Sequence, residues 1–230
     1  MKLDGHSSIK LNEMMVVILG LPGSGKGTQT RLISNELGIG CIGFSDLLRR
    51  EVKKGTRMGA EIAGVLDDHK LAPTEIAVTL INACFSDSHL RNGFVLEGFP
   101  RNHDQALALD KLLQDRNLSI NAVFYLEISM AEAVRRLSNR AICPNEECGQ
   151  IFATHDALSV GCCDQCGTVL IRRPDDLPEI AMKRCELAKT STEWLEQFYQ
   201  TKLHRIRATD SPERVTCAIL SRLTGVSTSN

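Results

Sequence analysis

The chain has 230 residues, 43% of them apolar and 24% charged, an ordinary globular composition with enough length for one sizeable core. A formal net charge of -1 supplies no basic field that would recruit nucleic acid or an anionic membrane surface. Nine cysteines, an odd count with no secretory leader, argue against a disulfide framework and for a reducing, cytoplasmic setting.

In chain order, residues 1–13 read as a polar tail. Residues 14–19 form an apolar run far short of the ~20 residues needed to cross a bilayer, and they read as a buried strand. A glycine-rich turn follows, then a helix over 26–37. A weaker strand at 39–44 leads to Ser45, expected to cap a helix over 46–54. Residues 74–85 place Ile76, Leu80, Ile81 and Ala83 at helical spacing. A short strand at 94–96 ends in the turn Gly98-Phe99-Pro100, and a helix at 104–116, a strand at 122–128 and a helix at 130–140 come next. From 141 to 173 clustered cysteines and glycines break the period, which marks a small insertion. Helices resume at 180–187 and 192–202, followed by a strand at 203–208 and a closing helix at 212–223. This alternation predicts an α/β three-layer fold with a parallel sheet and crossover helices. The expected division is a core of 14–42, 73–140 and 174–230, a helical insertion at 43–72 and a cysteine-rich one at 141–173.

Gly20-Leu21-Pro22-Gly23-Ser24-Gly25-Lys26 fits the start of a P-loop, between a strand and a helix as that motif requires. The glycines let the backbone curl so that several N–H groups face one anion, and the helix adds its N-terminal dipole. Lys26 can bridge phosphate oxygens as a point charge. The usual hydroxyl is displaced by one position, since Gly27 intervenes before Thr28. The motif predicts a nucleoside triphosphate ligand and leaves the fate of its γ-phosphate open.

Extended to GLPGSGKGTQ, the loop resembles the adenylate kinase form of the motif, and further resemblances follow in order along most of the chain. Ser45-Asp46-Leu47-Leu48-Arg49 is similar to the start of that family's monophosphate-binding helix. Gly98-Phe99-Pro100-Arg101, after Glu97, is similar to its central segment; Arg136 and Arg140 match its arginine pair before the lid, and Arg173-Pro174-Asp175-Asp176 with Arg184 the run after it. The resemblance implies ATP-dependent phosphoryl transfer to a nucleoside monophosphate, ATP and AMP giving two ADP, by a monomer. It implies ATP binding by Gly23, Ser24, Gly25, Lys26, Gly27, Thr28 and Arg136. Phe44, Arg49, Gly98, Arg101, Gln105, Arg173 and Arg184 would hold the monophosphate, with Lys26, Arg101, Arg140, Arg173 and Arg184 catalytic. The chemistry agrees, because bringing two anions together requires cancelled repulsion and stabilised equatorial oxygens, which arginine forks supply. No general base is needed, since a phosphate acceptor with a second pKa near ~6 is largely ionised at neutral pH. Glu97 stands where the family has an aspartate that positions magnesium through water. Gln105 falls where the family reads adenine, whereas Phe44 replaces a small hydroxyl residue and would stack on the base or crowd it. A broader or non-AMP preference is the alternative.

Cys143-x4-Cys148 and Cys163-x2-Cys166 supply two cysteine pairs on separate turns, the requirement of a tetrahedral thiolate zinc site. Lids with two Cys-x2-Cys knuckles occur in the family it resembles; here the first knuckle is two residues longer, and Cys162 competes with Cys163 as ligand. The zinc would be structural, since about thirty residues bury too little apolar area to hold themselves together. A redox pair or a metal-free lid is the alternative. A rival of another class, a non-catalytic P-loop protein binding nucleic acid through its knuckles, is opposed by a region with little basic charge and only Phe152 as an aromatic.

Overall fold

The computed structural model describes residues 14–67, 70–90, 93–145, 148–152, 161–190 and 193–225. The expected tail at 1–13, Glu146 and Glu147 of the first cysteine loop, and the expected helix start at Thr192 lie outside them.

Strand β1 (Met15–Gly20) runs through the centre of a five-stranded sheet in the order β2-β3-β1-β4-β7, with β2 Gly40–Gly43, β3 Phe94–Glu97, β4 Ala122–Glu127 and β7 Leu203–Arg207. Every pairing is parallel. The continuous apolar run of β1 is what a strand covered on both faces requires. Alternation divides it: Met15, Val17 and Leu19 join one core, with Phe94 and Leu96, while Val16 and Ile18 join the other, with Phe124 and Ile219.

Helices α1 (Lys26–Leu37), α4 (Thr74–Cys84), α5 (His103–Gln114), α6 (Met130–Ser138), α7 (Pro178–Thr190), α8 (Glu193–Tyr199) and α9 (Pro212–Thr224) match the expected sites to within a few residues. Two details differ. Helix α2 (Phe44–Lys53) begins earlier than expected: extended Gly43 is its N-cap residue, without a side-chain cap, and Ser45 lies inside the first turn. Helix α3 (Arg57–Asp67) was not anticipated; Gly59 and Gly64 weaken its helical signal. Gly59 has a packing reason, since a Cβ there would stand 2.4 Å from the Glu51 carbonyl oxygen of α2.

The cysteine-rich insertion rises between α6 and α7. Strands β5 (Ala141–Ile142) and β6 (Ile151–Phe152) pair antiparallel, and bridges join Ile142 to Ile171 and Cys162 to Val169. Beneath it Leu21, Ala133, Leu137, Ala181 and Cys185 pack α6 and α7 together over the P-loop. No helix among the described residues is long and apolar enough to cross a membrane.

Candidate active site

The C-terminal end of β1 opens into a cleft of about 1490 Å³, as expected where a parallel sheet hands each strand to a crossover helix. The glycine turn forms its floor. Gly20, Gly23 and Gly25 have φ of 141°, 82° and 92°. A Cβ on Gly23 would stand 2.7 Å from the Ala133 carbonyl oxygen, so this glycine is what lets α6 close onto the loop. Left-handed Gly25 precedes α1 and has no side-chain cap, which leaves the first-turn N–H groups of α1 for an anion in the cleft. The Ser24 N–H instead donates to the Leu21 carbonyl at 3.1 Å, and its hydroxyl is buried without a partner among the described residues.

Lys26 Nζ donates to the Gly20 and Leu21 carbonyls at 3.0 and 2.8 Å, folding back over the loop where phosphate oxygens would replace those acceptors. Desolvation lowers its pKa to about 8; Glu97 opposes the fall, while Arg101, Arg184 and Arg140 add to it. Glu97 ends β3 beside the start of α1, its Oε2 3.5 Å from the position a Cβ on Gly27 would take. An oxygen donor next to the P-loop, with the Thr28 hydroxyl on the same cleft wall, suits magnesium accompanying a triphosphate.

The arginines come from separate segments and line this one cleft. Gly98, with φ 74°, turns the chain so that its carbonyl accepts from Arg101 Nε at 2.8 Å, while Arg101 Nη2 donates to the Ser45 hydroxyl at 3.1 Å. Burial lowers the Arg101 pKa, aided by Arg184 and Arg49. Arg173 falls to about 10 through desolvation, then the repulsion of Arg49 and Arg140. Burial and mutual repulsion hold Lys26, Arg101 and Arg173 below their ordinary pKa even with Glu97, Asp175 and Asp46 opposing, and an anion entering between them would relieve the repulsion. Arg49 is tethered to Asp46, and Arg136 Nε donates to Glu132 at 2.7 Å.

One residue at the base of the insertion had no role assigned from sequence. Asp176, fully buried, accepts from Arg140 Nε and Nη2 at 2.8 and 2.6 Å and from Arg184 Nη1 at 3.2 Å. Arg184 Nη1 also donates to the Asp175 carbonyl at 2.7 Å. A single carboxylate thus aims two arginines at the cleft. The acidic pair after Pro174 carried this signal, but only the meeting of the insertion's two ends gives it meaning.

Two expected site residues are placed away from the cleft wall. Phe44 is 1% exposed, its ring 4.9 Å from that of Phe99 in the core, because α2 begins at Phe44 and turns this side chain inward. The ring is not part of the cleft wall. Gln105 is fully buried; its Oε1 accepts from the Arg101 N–H at 2.8 Å and its Nε2 donates to the Ala72 carbonyl at 3.0 Å. Its amide joins the arginine loop to the segment before α4.

In the insertion, the sulfurs of Cys143, Cys148, Cys163 and Cys166 lie within 4.8 Å of one another, with Cys143 to Cys166 at 3.4 Å and Cys148 to Cys163 at 3.6 Å. Four sulfurs at ~2.3 Å around one ion would stand ~3.8 Å apart, so the set fits tetrahedral zinc. The second cysteine of each knuckle is followed by a left-handed glycine, Gly149 with φ 55° and Gly167 with φ 72°. The Gly149 N–H donates to the Asn145 carbonyl and the Gly167 N–H to the Cys163 carbonyl, each at 2.8 Å. Hydrogen bonds with Thr168 hold the Cys166 thiol down to about 6, whereas burial pushes Cys143 up. Against a backbone hydrogen bond at Gln150, burial and the neighbouring thiols push Cys148 up as well, so a metal would have to displace the protons of these two. Cys162 is exposed and outside the cluster, which leaves Cys163 as the ligand candidate.

A family model described as "Adenylate kinase" matches residues 18–204. Proteins named adenylate kinase are similar along most of the chain. The one from Thermodesulfovibrio yellowstonii is 36% identical over 216 residues, covering 91% of this chain and all of that protein. The one from Methanocella arvoryzae is 37% identical, covering 82% of this chain and 88% of its own, and the one from Clostridium perfringens 33% with the same coverages.

Proposed function

The chain belongs to the adenylate kinase family, and we propose that it transfers the terminal phosphoryl group of ATP directly to AMP, giving two ADP. The observation that carries this reading is the convergence of Lys26, Arg49, Arg101, Arg140, Arg173 and Arg184 on one cleft floored by a P-loop. An anion-binding loop alone would serve any nucleotide hydrolase; cations on its far side call for a second phosphate.

ATP takes the loop with its phosphates against Gly23, Ser24, Gly25, Lys26, Gly27 and Thr28, and Arg136 faces its nucleoside. AMP sits toward the 43–72 segment, its phosphate on Arg49 and Arg101 beside Gly98. Arg140, Arg173 and Arg184 spread over the transferring group and stabilise its three equatorial oxygens. The acceptor is already ionised, so the attack is in line, with no proton to remove and no covalent enzyme intermediate. The 141–173 lid excludes water that would otherwise take the phosphoryl group. Magnesium bound with ATP supplies charge neutralisation, and Glu97 is the residue that would hold it through water. Cys143, Cys148, Cys163 and Cys166 would hold a structural zinc that gives the lid its rigidity. Adenine is the favoured acceptor base because relatives over most of the chain are named adenylate kinases, and the Phe44 ring, turned into the core, offers no argument against it.

We assign the enzyme to the cytoplasm, where a reducing setting would keep Cys143, Cys148, Cys163 and Cys166 available for a metal, and to the monomeric state that the family resemblance implies. An assay coupled to ADP formation, run with ATP and each of AMP, GMP, CMP and UMP, tests the reading. Turnover should be fastest with AMP; no AMP-dependent ADP formation would overturn it.

A further inference from the structure

Helix α6 starts with Ser129 as its N-cap, whose hydroxyl accepts from the Glu132 N–H at 3.2 Å. A glutamate at this third position ordinarily turns back to the N-cap N–H and completes a capping box. Glu132 turns the other way. Its Oε1 accepts from Arg135 Nη2 at 2.8 Å and Arg136 Nε at 2.7 Å, and its Oε2 accepts from Arg135 Nε at 2.7 Å. The fork of Arg135 fixes the plane of the carboxylate, and that carboxylate fixes the root of the Arg136 guanidinium. Bonding at Nε leaves both Nη groups of Arg136 outside the pair.

This three-residue unit lies on the cleft, where all three side chains form part of the wall. Its neighbours place it on the P-loop side. Ala133 and Leu137, flanking Arg136 on α6, are what a side chain at Gly23 would strike. Ala208, Thr209 and Asp210 line the same cleft, and their loop is tied to α1 by Gln29 Nε2 donating to the Pro212 carbonyl at 2.9 Å. Surface ion pairs along a helix contribute little to folding, so stability is a weak reason for the arrangement. Guanidinium planes, by contrast, stack on flat π systems, and a plane fixed in advance loses less freedom when a base arrives.

We propose that Glu132 is a positioning residue for the donor nucleotide, holding the Arg136 guanidinium in the orientation that receives the nucleoside of ATP. This rests on the reading above that the P-loop side of the cleft takes ATP. The two arginines hold the Glu132 carboxyl down to about 2, Arg135 first, so the clamp is charged throughout the working pH range.

The test is a double-mutant cycle with Glu132→Gln, Arg136→Ala and the pair, read as KM for ATP, KM for AMP and kcat. Glu132→Gln should raise KM for ATP about three- to tenfold, the cost of ordering one arginine on binding. KM for AMP and kcat should stay within about twofold, the pattern of a lost donor-side binding contact. In the Arg136→Ala background the same change should add nothing. An unchanged KM for ATP, a full effect without Arg136, or equal rises in both KM values with a lowered Tm would overturn the proposal. Should the wild type lack AMP-dependent turnover, the same four proteins titrated with ATP at equilibrium still decide. Weaker ATP binding on Glu132→Gln only where Arg136 is present supports the clamp although the acceptor reading has failed; equal binding rejects it.

Discussion

The Lys26 ammonium is desolvated before any ligand arrives, its pKa lowered from 10.5 to about 8. Between about 8 and 10.5 the unfolded chain binds more protons than the folded one, so this unfavourable contribution is fully present below pH 8 and fades as pH rises. Activity runs the other way, because only the charged form attracts phosphate. kcat/KM for ATP should fall above an apparent pKa near 8, as a pH–rate profile would record, with a later fall in kcat because bound phosphates favour the ammonium. Lys26→Met should lower turnover by about three orders of magnitude or more with an unchanged circular dichroism spectrum, since a point charge on the transferring group is lost and no core contact is. Asp176→Asn belongs to the same scale. It leaves Arg140 and Arg184 facing each other over a neutral amide, and urea titration should show a loss of roughly 2–4 kcal/mol. The arginines were singled out in the sequence by resemblance to a family's motifs, with phosphate chemistry accounting for their type, and the fold brings them to one cleft. Asp176 was not, because the partner that explains it lies 36 positions away. Phe44, expected beside a base, packs against Phe99, because its side depends on where α2 begins and the sequence placed that start two residues late.

Among elements, the strands and the long helices were legible because both signals are periodic: β1 is continuously apolar and α1 ends at a left-handed Gly38. Helix α3 was hidden by two glycines, of which Gly59 permits a close approach to α2, a fact of packing and not of propensity. The same logic governs the contact between α6 and the P-loop. Gly23→Ala places a methyl group 2.7 Å from the Ala133 carbonyl at a φ of 82°. It should cost about 1–3 kcal/mol in thermal or urea unfolding and reduce kcat more than a surface substitution on α6. An unchanged variant would mean that α6 moves away freely, and the coupling of loop and helix would be rejected.

For the whole molecule, the cysteine-rich insertion is the part that the core does not support. Its own apolar cluster is small: Ala141, Cys143, Cys163 and Leu170 with Cys148 and Phe152 against them. Three of these six residues, Cys143, Cys148 and Cys163, are candidate metal ligands, so metal and core are one feature. Stripping the metal with a strong chelator should lower Tm by several degrees and kcat more than either KM, because the lid loses order while the cleft floor stays. Freshly purified protein should carry about one zinc per chain by elemental analysis. The cysteine spacing pointed from sequence to two knuckles, and the structure adds that a left-handed glycine, Gly149 or Gly167, follows the second cysteine of each.

The Arg140–Asp176 pair has a consequence for how such proteins are built. It joins the residue where the chain leaves for the insertion to a residue just past its return, inside the packed seam of α6 and α7. The two ends of the inserted segment are therefore stapled together by the host, whatever hangs from them. Closing a longer excursion across ends already held costs little, growing only with the logarithm of its length. Shortening the excursion within residues 143–171 should therefore cost the sheet beneath little stability, as urea unfolding of such a variant would check.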